Sequence, residues 1–228
     1  MFRIQNFLPK TLRKILTRVI KNELLKQRIA IEAEIPKIDF KKDHLQNAKL
    51  LINRSELLEM LPKNGVVAEI GVDEGGYSSQ ILELNNPKKL HLVDSWSSEQ
   101  YRHKREKVEK KFIPEINQGR VEINLGLSTE VCSNFPDKYF DWVYIDTGHG
   151  YKLTKEELIC YSTKMKDGGV IVGHDFITWE YLGFNRYGVI EAVSEFCNEY
   201  DWELIFLTME VSGHPSFAIR KISNTKSS

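Results

Sequence analysis

VVAEIGVDEGGYSS, residues 66–79, has the pattern of a buried strand, a glycine-bearing turn and the first turn of a helix. Its beginning, residues 66–70, is apolar or small except for Glu69, which is typical of a strand covered on both faces. Gly71, Gly75 and Gly76 follow, and glycine lets the backbone approach a ligand closely because it has no side chain. The stretch therefore predicts a ligand-binding turn at the carboxyl end of a central strand.

The next predicted strand, LHLVD, ends in an acidic residue, Asp94, which follows Gly71 by 23 residues. At about this spacing a Rossmann unit places the acid that binds the ribose of a nucleoside cofactor. The spacing indicates such a cofactor. A second acid, Glu69, lies near the end of the first strand, just before the glycine turn. The middle glycine of a dinucleotide motif is replaced by Asp73, and a carboxylate there disfavours a pyrophosphate. A nicotinamide-dependent oxidoreductase is the alternative enzyme class.

The bulk composition fits one domain with a small appendage, since the chain has 228 residues, 41% of them hydrophobic and 28% charged. The 32 basic and 32 acidic residues balance, which argues against nucleic acid as the main partner. We expect a cytoplasmic protein, because the sequence shows no membrane-spanning run and no signal-peptide core. Three widely spaced cysteines predict a reducing compartment, without a disulfide or a zinc cluster.

Residues 1–46 are predicted to form a basic amphipathic helical extension and a linker. Residues 1–30 carry eight basic side chains against Glu23 alone. The apolar residues recur at helical spacing: Leu8, Leu12, Ile15, Leu16, Val19, Ile20 and Leu24. Such a helix commonly packs on its own domain or on a second subunit, and we favour that interpretation, which allows a homo-oligomer. The alternative is peripheral contact with an anionic membrane surface.

Strands and helices alternate over residues 47–221, which predicts an α/β fold with a doubly wound sheet. Seven strands are expected, and the last two, WELIFLT and SFAIRK, are joined by a connection too short for a crossover helix. The prediction is a Rossmann-like, mostly parallel seven-stranded sheet with an antiparallel last strand. Thr154 and Glu157 predict a capping box at the start of a helix. Residues 222–228 are predicted to be a disordered tail.

Three further stretches carry a resemblance to a known family: IDTGHGY (145–151), GGVIVGHDF (168–176) and GVIEAVSEF (188–196). With the glycine turn, they make the chain resemble class I S-adenosylmethionine-dependent methyltransferases. The resemblance is more specific to small-molecule and sugar O-methyltransferases of the macrocin type, and it covers residues 47–221. It implies S-adenosylmethionine as cofactor and a small-molecule hydroxyl, such as that of a sugar, as methyl acceptor. A non-catalytic cofactor-binding or membrane-associated subunit is the third functional class.

The resemblance also implies a cofactor site. Glu69 and Gly71 are expected near the methionyl part, Asp94 at the ribose hydroxyls, and residues 126–128 near the adenine. The complete expected set is Glu69, Gly71, Gly75, Gly76, Asp94, Ser95, Trp96, Gly126, Ser128 and Asp146.

Two aspartates, Asp146 and Asp175, each follow a predicted strand at its carboxyl end, where open α/β sheets bind ligands. Both carboxylates should therefore lie beside the cofactor. His149 matches the base position of the sugar methyltransferases, and an imidazole can accept a hydroxyl proton near neutral pH. Asp146 and His149 are the predicted catalytic residues. The alternative is that His149 is a loop residue with a backbone partner and that the aspartates cap turns.

Asp146, His174 and Asp175 are the predicted ligands of a divalent cation, Mg²⁺ or Mn²⁺. His174 stands where metal-dependent relatives often carry a second acid, which favours a metal that accepts imidazole, or no metal at all. The other histidines, His44, His91, His103 and His214, are assigned no role. Residues 178–187 form the expected acceptor loop, and its aromatic and basic side chains are Trp179, Tyr181, Phe184, Arg186 and Tyr187.

Overall fold

The computed structural model describes residues 9–97, 99–180 and 185–223. The chain divides into two compact units, residues 1–37 and 38–228. In its described part the first unit is a helix, α1 (Lys10–Glu34). The predicted linker falls mostly in the second unit, where the backbone carbonyls of Ile38 and Asp39 accept hydrogen bonds from Ser194 and Asn198. The tail residues 224–228 lie outside the described part of the chain.

The second unit contains ten strands and seven α-helices in the described ranges. The strands are β1 (Lys49–Leu51), β2 (Val66–Ile70), β3 (Lys89–Asp94), β4 (Val121–Leu125), β5 (Phe140–Ile145), β6 (Met165–Gly173), β7 (Trp179–Glu180), β8 (Asn185–Arg186), β9 (Trp202–Thr208) and β10 (Phe217–Lys221). The α-helices are α2 (Arg54–Met60), α3 (Gly76–Gln80), α4 (Glu99–Lys111), α5 (Ile113–Asn117), α6 (Ser128–Cys132), α7 (Tyr151–Lys164) and α8 (Val189–Tyr200). A 3₁₀ turn (Lys42–His44) precedes β1, and a π-helical turn (Ile81–Asn85) continues α3.

Eight of these strands form one sheet in the order β1-β9-β10-β6-β5-β2-β3-β4. β2, β3, β4, β5 and β6 run parallel, and β10 pairs antiparallel with both β6 and β9, which confirms the predicted mixed sheet. The sheet has one strand more than the seven predicted, because β1 pairs parallel with β9 at the edge. With three residues, β1 is too short to show an alternating pattern.

Side chains of the central strands are buried on both faces of the sheet. On β5, Val143 and Ile145 join one apolar cluster, and Trp142 and Tyr144 join the other. This explains the continuous apolar runs in the sequence, since helices cover both faces. A sheet covered in this way leaves its strand ends as the place where polar groups meet a ligand.

Two expectations from the sequence are wrong. Thr154 and Glu157 do not form a capping box, because α7 begins at Tyr151; Thr154 donates to the Gly150 carbonyl, and Glu157 accepts from Thr147. The cysteines do not all remain free: Cys132 and Cys160, 28 residues apart, form a disulfide between α6 and α7. In the described ranges, the chain contains no helix long and apolar enough to cross a membrane.

Candidate functional site

A cavity of about 630 Å³ opens at the carboxyl ends of β2, β3 and β5. Its size lies in the range of small-molecule and cofactor sites. All the predicted cofactor residues except Gly75 line it. The lining also includes Tyr77 and Tyr101, which were not among the predicted residues.

The glycine turn after β2 requires glycine at two positions for reasons of backbone geometry. Gly71 has φ +89°, and a Cβ built there would lie 1.9 Å from the backbone oxygen of Asp146. Gly75 has φ +69°, caps α3, and would place a Cβ 2.8 Å from the ring of Phe112. A Cβ on Gly76 meets nothing within 4 Å, and Gly76 lines the cavity. Gly71 and Gly75 therefore shape the turn, and Gly76 leaves space beside it.

The Asp94 carboxylate holds this turn in place. Its Oδ2 accepts from the backbone amides of Val72 (2.9 Å) and Asp73 (3.1 Å), and its Oδ1 accepts from that of Trp96 (2.9 Å). Each carboxylate oxygen can accept more than one hydrogen bond, so Asp94 keeps capacity for a ligand hydroxyl. Trp96 is buried, and its indole donates to the Asp73 carbonyl at 2.9 Å, so this predicted cofactor residue also stabilises the loop.

Glu69 lies at the end of β2, 2% exposed, and accepts a hydrogen bond from the Ser78 hydroxyl. Burial raises the pKa of Glu69 to about 8, and the nearby charges of Asp146 and Asp94 act in the same direction. A cationic ligand group beside these three acids would favour the ionised form of Glu69 and would itself be stabilised electrostatically. The arrangement therefore fits the ammonium or sulfonium of S-adenosylmethionine.

A second cluster of polar groups is centred on Asp175, which is 5% exposed. His149 Nδ1 lies 3.1 Å from Asp175 Oδ2, and His174 Nδ1 lies 3.3 Å from Asp175 Oδ1. His214 Nδ1 also contacts Asp175 Oδ1. Burial opposes ionisation of Asp175, but these three histidines outweigh it and lower its pKa to about 2. Asp175 is therefore a carboxylate under all ordinary conditions.

Asp146 links this cluster to the cavity, which it lines. One potential ligand atom from each of Asp146, His149 and Asp175 lies within 4.8 Å of the other two, a spacing that could hold a metal ion. Nδ1 of the predicted ligand His174 lies 3.7 Å from Asp146 Oδ2. Burial lowers the pKa of His174, but its hydrogen bond to Asp175 and the charges of both aspartates outweigh burial and raise it. Burial raises the pKa of Asp146, with Asp175 adding to the effect.

The fold brings two further residues to this cluster, Tyr187 from the expected acceptor loop and His214. The ring of Tyr187 lies 4.4 Å from that of His149, centroid to centroid. His214 was assigned no role, yet it reaches Asp175 from the β9–β10 connection. Of the expected acceptor loop, Trp179 and Arg186 lie in the paired strands β7 and β8. Tyr181 and Phe184 lie outside the described residues.

Arg54, the first residue of α2, is a further cation near the site. Its Cζ lies 5.0 Å from the ring centroid of Tyr77, which lines the cavity. Its Nε lies 4.0 Å from Glu210 Oε1. Burial lowers the pKa of Arg54, but Tyr144, Tyr77 and Glu210 raise it by more, so the side chain is a cation.

Comparison with known proteins adds a family match. Residues 68–176 match the model of a family described as a methyltransferase domain. By sequence, none of the curated proteins compared matches the chain.

Solved structures share the fold at low sequence identity. A Clostridium thermocellum protein assigned as an rRNA methylase is 16% identical, covers 76% of this chain and 98% of its own, and has a TM-score of 0.57. A tRNA methyltransferase of B. subtilis is 14% identical over 76% of this chain and 67% of its own, with a TM-score of 0.55. A Streptococcus mutans protein assigned as a methyltransferase, solved with S-adenosylhomocysteine, is 16% identical over 74% and 96%, with a TM-score of 0.54.

Proposed function

From the family match and the cavity, which support a class I S-adenosylmethionine-dependent methyltransferase, we propose that the chain methylates a hydroxyl group of a small molecule, such as a sugar. The observation that carries this proposal is the position of Asp146. It lines the cavity and also belongs to the cluster with His149 and Asp175. Asp146 would thus be a neighbour of both the bound cofactor and the proton-accepting side chain.

The cavity residues fit the cofactor in parts. Glu69 and Asp146 would face the positive charges of the methionyl end, and Asp94 would accept from the ribose hydroxyls. Gly126 and Ser128 would border the adenine. When bound, S-adenosylmethionine supplies an electrophilic methyl group on a positively charged sulfur.

His149 is the proposed general base. The ionised Asp175 favours a proton on Nδ1 of His149, which leaves Nε2 as the proton acceptor. Nε2 would accept the proton of the acceptor hydroxyl as its oxygen takes the methyl group that S-adenosylmethionine would supply, with S-adenosylhomocysteine as the leaving group. Asp175 thereby orients the base and stabilises the imidazolium that forms.

We also propose that a divalent cation binds at this cluster, held by Asp146, His174 and Asp175, which leaves His149 as the base. Two carboxylates and an imidazole suit Mn²⁺ better than Mg²⁺, because Mg²⁺ prefers oxygen ligands. In that arrangement the cation would lower the pKa of a coordinated hydroxyl. Calorimetric titration with each metal, for wild type and Asp146→Asn, tests this proposal. Equal heats for both proteins would contradict it.

A small-molecule acceptor is proposed over RNA on the basis of charge. Two structures with this fold belong to proteins described as an rRNA methylase and a tRNA methyltransferase. RNA binding requires a basic surface, and this chain has equal numbers of basic and acidic residues. Cytoplasmic localisation stays a prediction from the sequence, and the Cys132–Cys160 disulfide argues against it, because disulfides are rare in a reducing compartment.

The first experiment is calorimetric titration of S-adenosylmethionine, S-adenosylhomocysteine and NAD into the purified protein. We expect binding of the first two and not of NAD. Transfer of a labelled methyl group is then measured over a panel of sugars, other small hydroxyl compounds and total RNA. Preferential binding of NAD would overturn the enzyme class, and labelling of RNA alone would overturn the acceptor class.

The base is tested with His149→Ala and Asp175→Asn. We expect transfer to fall about 10²-fold or more, the range for loss of a general base, while S-adenosylhomocysteine still binds. His103→Ala on the exposed face of α4 is the matched control and should retain full activity. Wild-type activity of His149→Ala would contradict its role as base and would favour the alternative that His149 is a loop residue.

A further inference from the structure

Over residues 10–24, helix α1 has an apolar half and a basic half, except that Arg13 falls within the apolar half. At 100° per residue, Leu12, Ile15, Leu16, Val19, Ile20 and Leu24 fall within about half of the helix circumference. These six side chains are each between 36% and 59% exposed, and none of the residues of α1 is buried. Lys10, Lys14, Arg18 and Lys21 fall in the opposite half and are all exposed.

The charge of α1 is also uneven along its length. Residues 10–28 carry seven basic side chains against Glu23 alone, whereas the whole chain is neutral. A surface that binds this helix should therefore be negatively charged and should accept apolar side chains. The acyl–headgroup boundary of an anionic bilayer meets both conditions.

We propose that α1 binds the surface of an anionic lipid membrane, with its apolar half inserted at the headgroup level and its basic half among the headgroups. A second copy of the chain fits less well, because two helices of the same high positive charge repel each other. The apolar surface also spans half of the helix, which is wider than the narrow seam of a two-stranded coiled coil. The proposal concerns peripheral binding and does not depend on the methyl acceptor.

The test is co-sedimentation of the full chain with vesicles of phosphatidylcholine containing about 30% phosphatidylglycerol, and with phosphatidylcholine alone. We expect binding to the anionic vesicles, weaker binding at higher salt, and little binding to the neutral ones. The variant Lys14→Glu/Arg18→Glu/Lys21→Glu should bind roughly a hundredfold more weakly or worse, at about 1 kcal/mol per basic residue near the surface. Ile15→Ser/Val19→Ser should also bind more weakly.

A matched control changes the same net charge elsewhere: Lys42→Glu/Lys63→Glu/Lys88→Glu, at three exposed positions of the second unit. This control should sediment like wild type. Binding of S-adenosylhomocysteine by every variant reports that the second unit is folded. The proposal is overturned if wild type does not sediment with anionic vesicles, if both triple variants behave alike, or if light scattering shows a dimer that Ile15→Ser/Val19→Ser dissociates.

Discussion

Gly71 illustrates a residue whose identity is required by its neighbour. A Cβ at this position would lie 1.9 Å from the backbone oxygen of Asp146, and the φ of +89° is itself unfavourable for other residues. The two strand ends could not approach each other as they do with any side chain present. The glycine is therefore needed for the geometry of the cavity and not only for ligand access.

We expect Gly71→Ala to abolish binding of S-adenosylhomocysteine and to lower the melting temperature, because backbone must move to admit the methyl group. Gly76→Ala is the paired variant, since its Cβ meets nothing within 4 Å. It should fold like wild type, and any loss of affinity would come from its place in the cavity lining. Calorimetry measures the affinity, and thermal melting measures the stability. Equal behaviour of the two variants would contradict the requirement for glycine at position 71.

Arg54 provides a second test at the scale of one side chain. It stacks on Tyr77, which lines the cavity near Glu69, so a zwitterionic amino-acid tail could have its carboxylate near Arg54 and its ammonium near Glu69. We expect Arg54→Gln to weaken S-adenosylhomocysteine about tenfold or more and to leave methylthioadenosine, which lacks this tail, unchanged. Equal losses for both ligands would indicate a structural role for Arg54.

At the scale of single elements, the sequence predicts what is periodic and local. The strand β2, the turn after it and the acid Asp94 lie within one stretch, so spacing alone indicates their arrangement. β1 is missed because three residues show no period. His214 is missed because its partner Asp175 lies 39 residues away and only the β9–β10 connection brings the two together.

The disulfide between Cys132 and Cys160 ties α6 to α7. Closing a 28-residue loop restricts the unfolded chain. We expect Cys132→Ser/Cys160→Ser to lose about 3 kcal/mol of unfolding free energy in urea. Dithiothreitol should lower the stability of wild type and of Cys197→Ala, the variant that removes the free cysteine. It should not lower the stability of the double variant. A reductant effect that persists in the double variant would contradict this.

For the molecule as a whole, buried His91 should make stability depend on pH. Its ring contacts Tyr139 (3.0 Å) and Asn124 (3.3 Å), and Glu122 lies 3.9 Å away. Burial lowers the pKa of His91 to about 4; Glu122 opposes this shift and Lys89 adds to it. Unfolded, the histidine has a pKa near 6.5, so between these values the unfolded chain binds a proton that the folded chain does not.

The contribution of neutral His91 to the free energy of unfolding is therefore fully present above about pH 6.5. It is lost as the pH falls to 4, by about 3 kcal/mol at most. Urea unfolding of wild type and His91→Gln at several pH values measures the effect. The variant should have a lower stability at neutral pH, because the ring contacts are lost, and a shallower decline toward acid. Parallel curves for the two proteins would show that His91 does not contribute.

The strand order also determines how the molecule is completed during synthesis. β2, β3 and β4 are neighbours both along the chain and in the sheet, so the glycine turn and Asp94 can assemble early. β10 comes after every other strand of the sheet, yet it lies between β6 and β9. Until residues 217–221 leave the ribosome, both of those strands present an open apolar edge on which another chain could pair. His214 is drawn to Asp175 beside this same strand, so the cavity can form before the histidine cluster is complete.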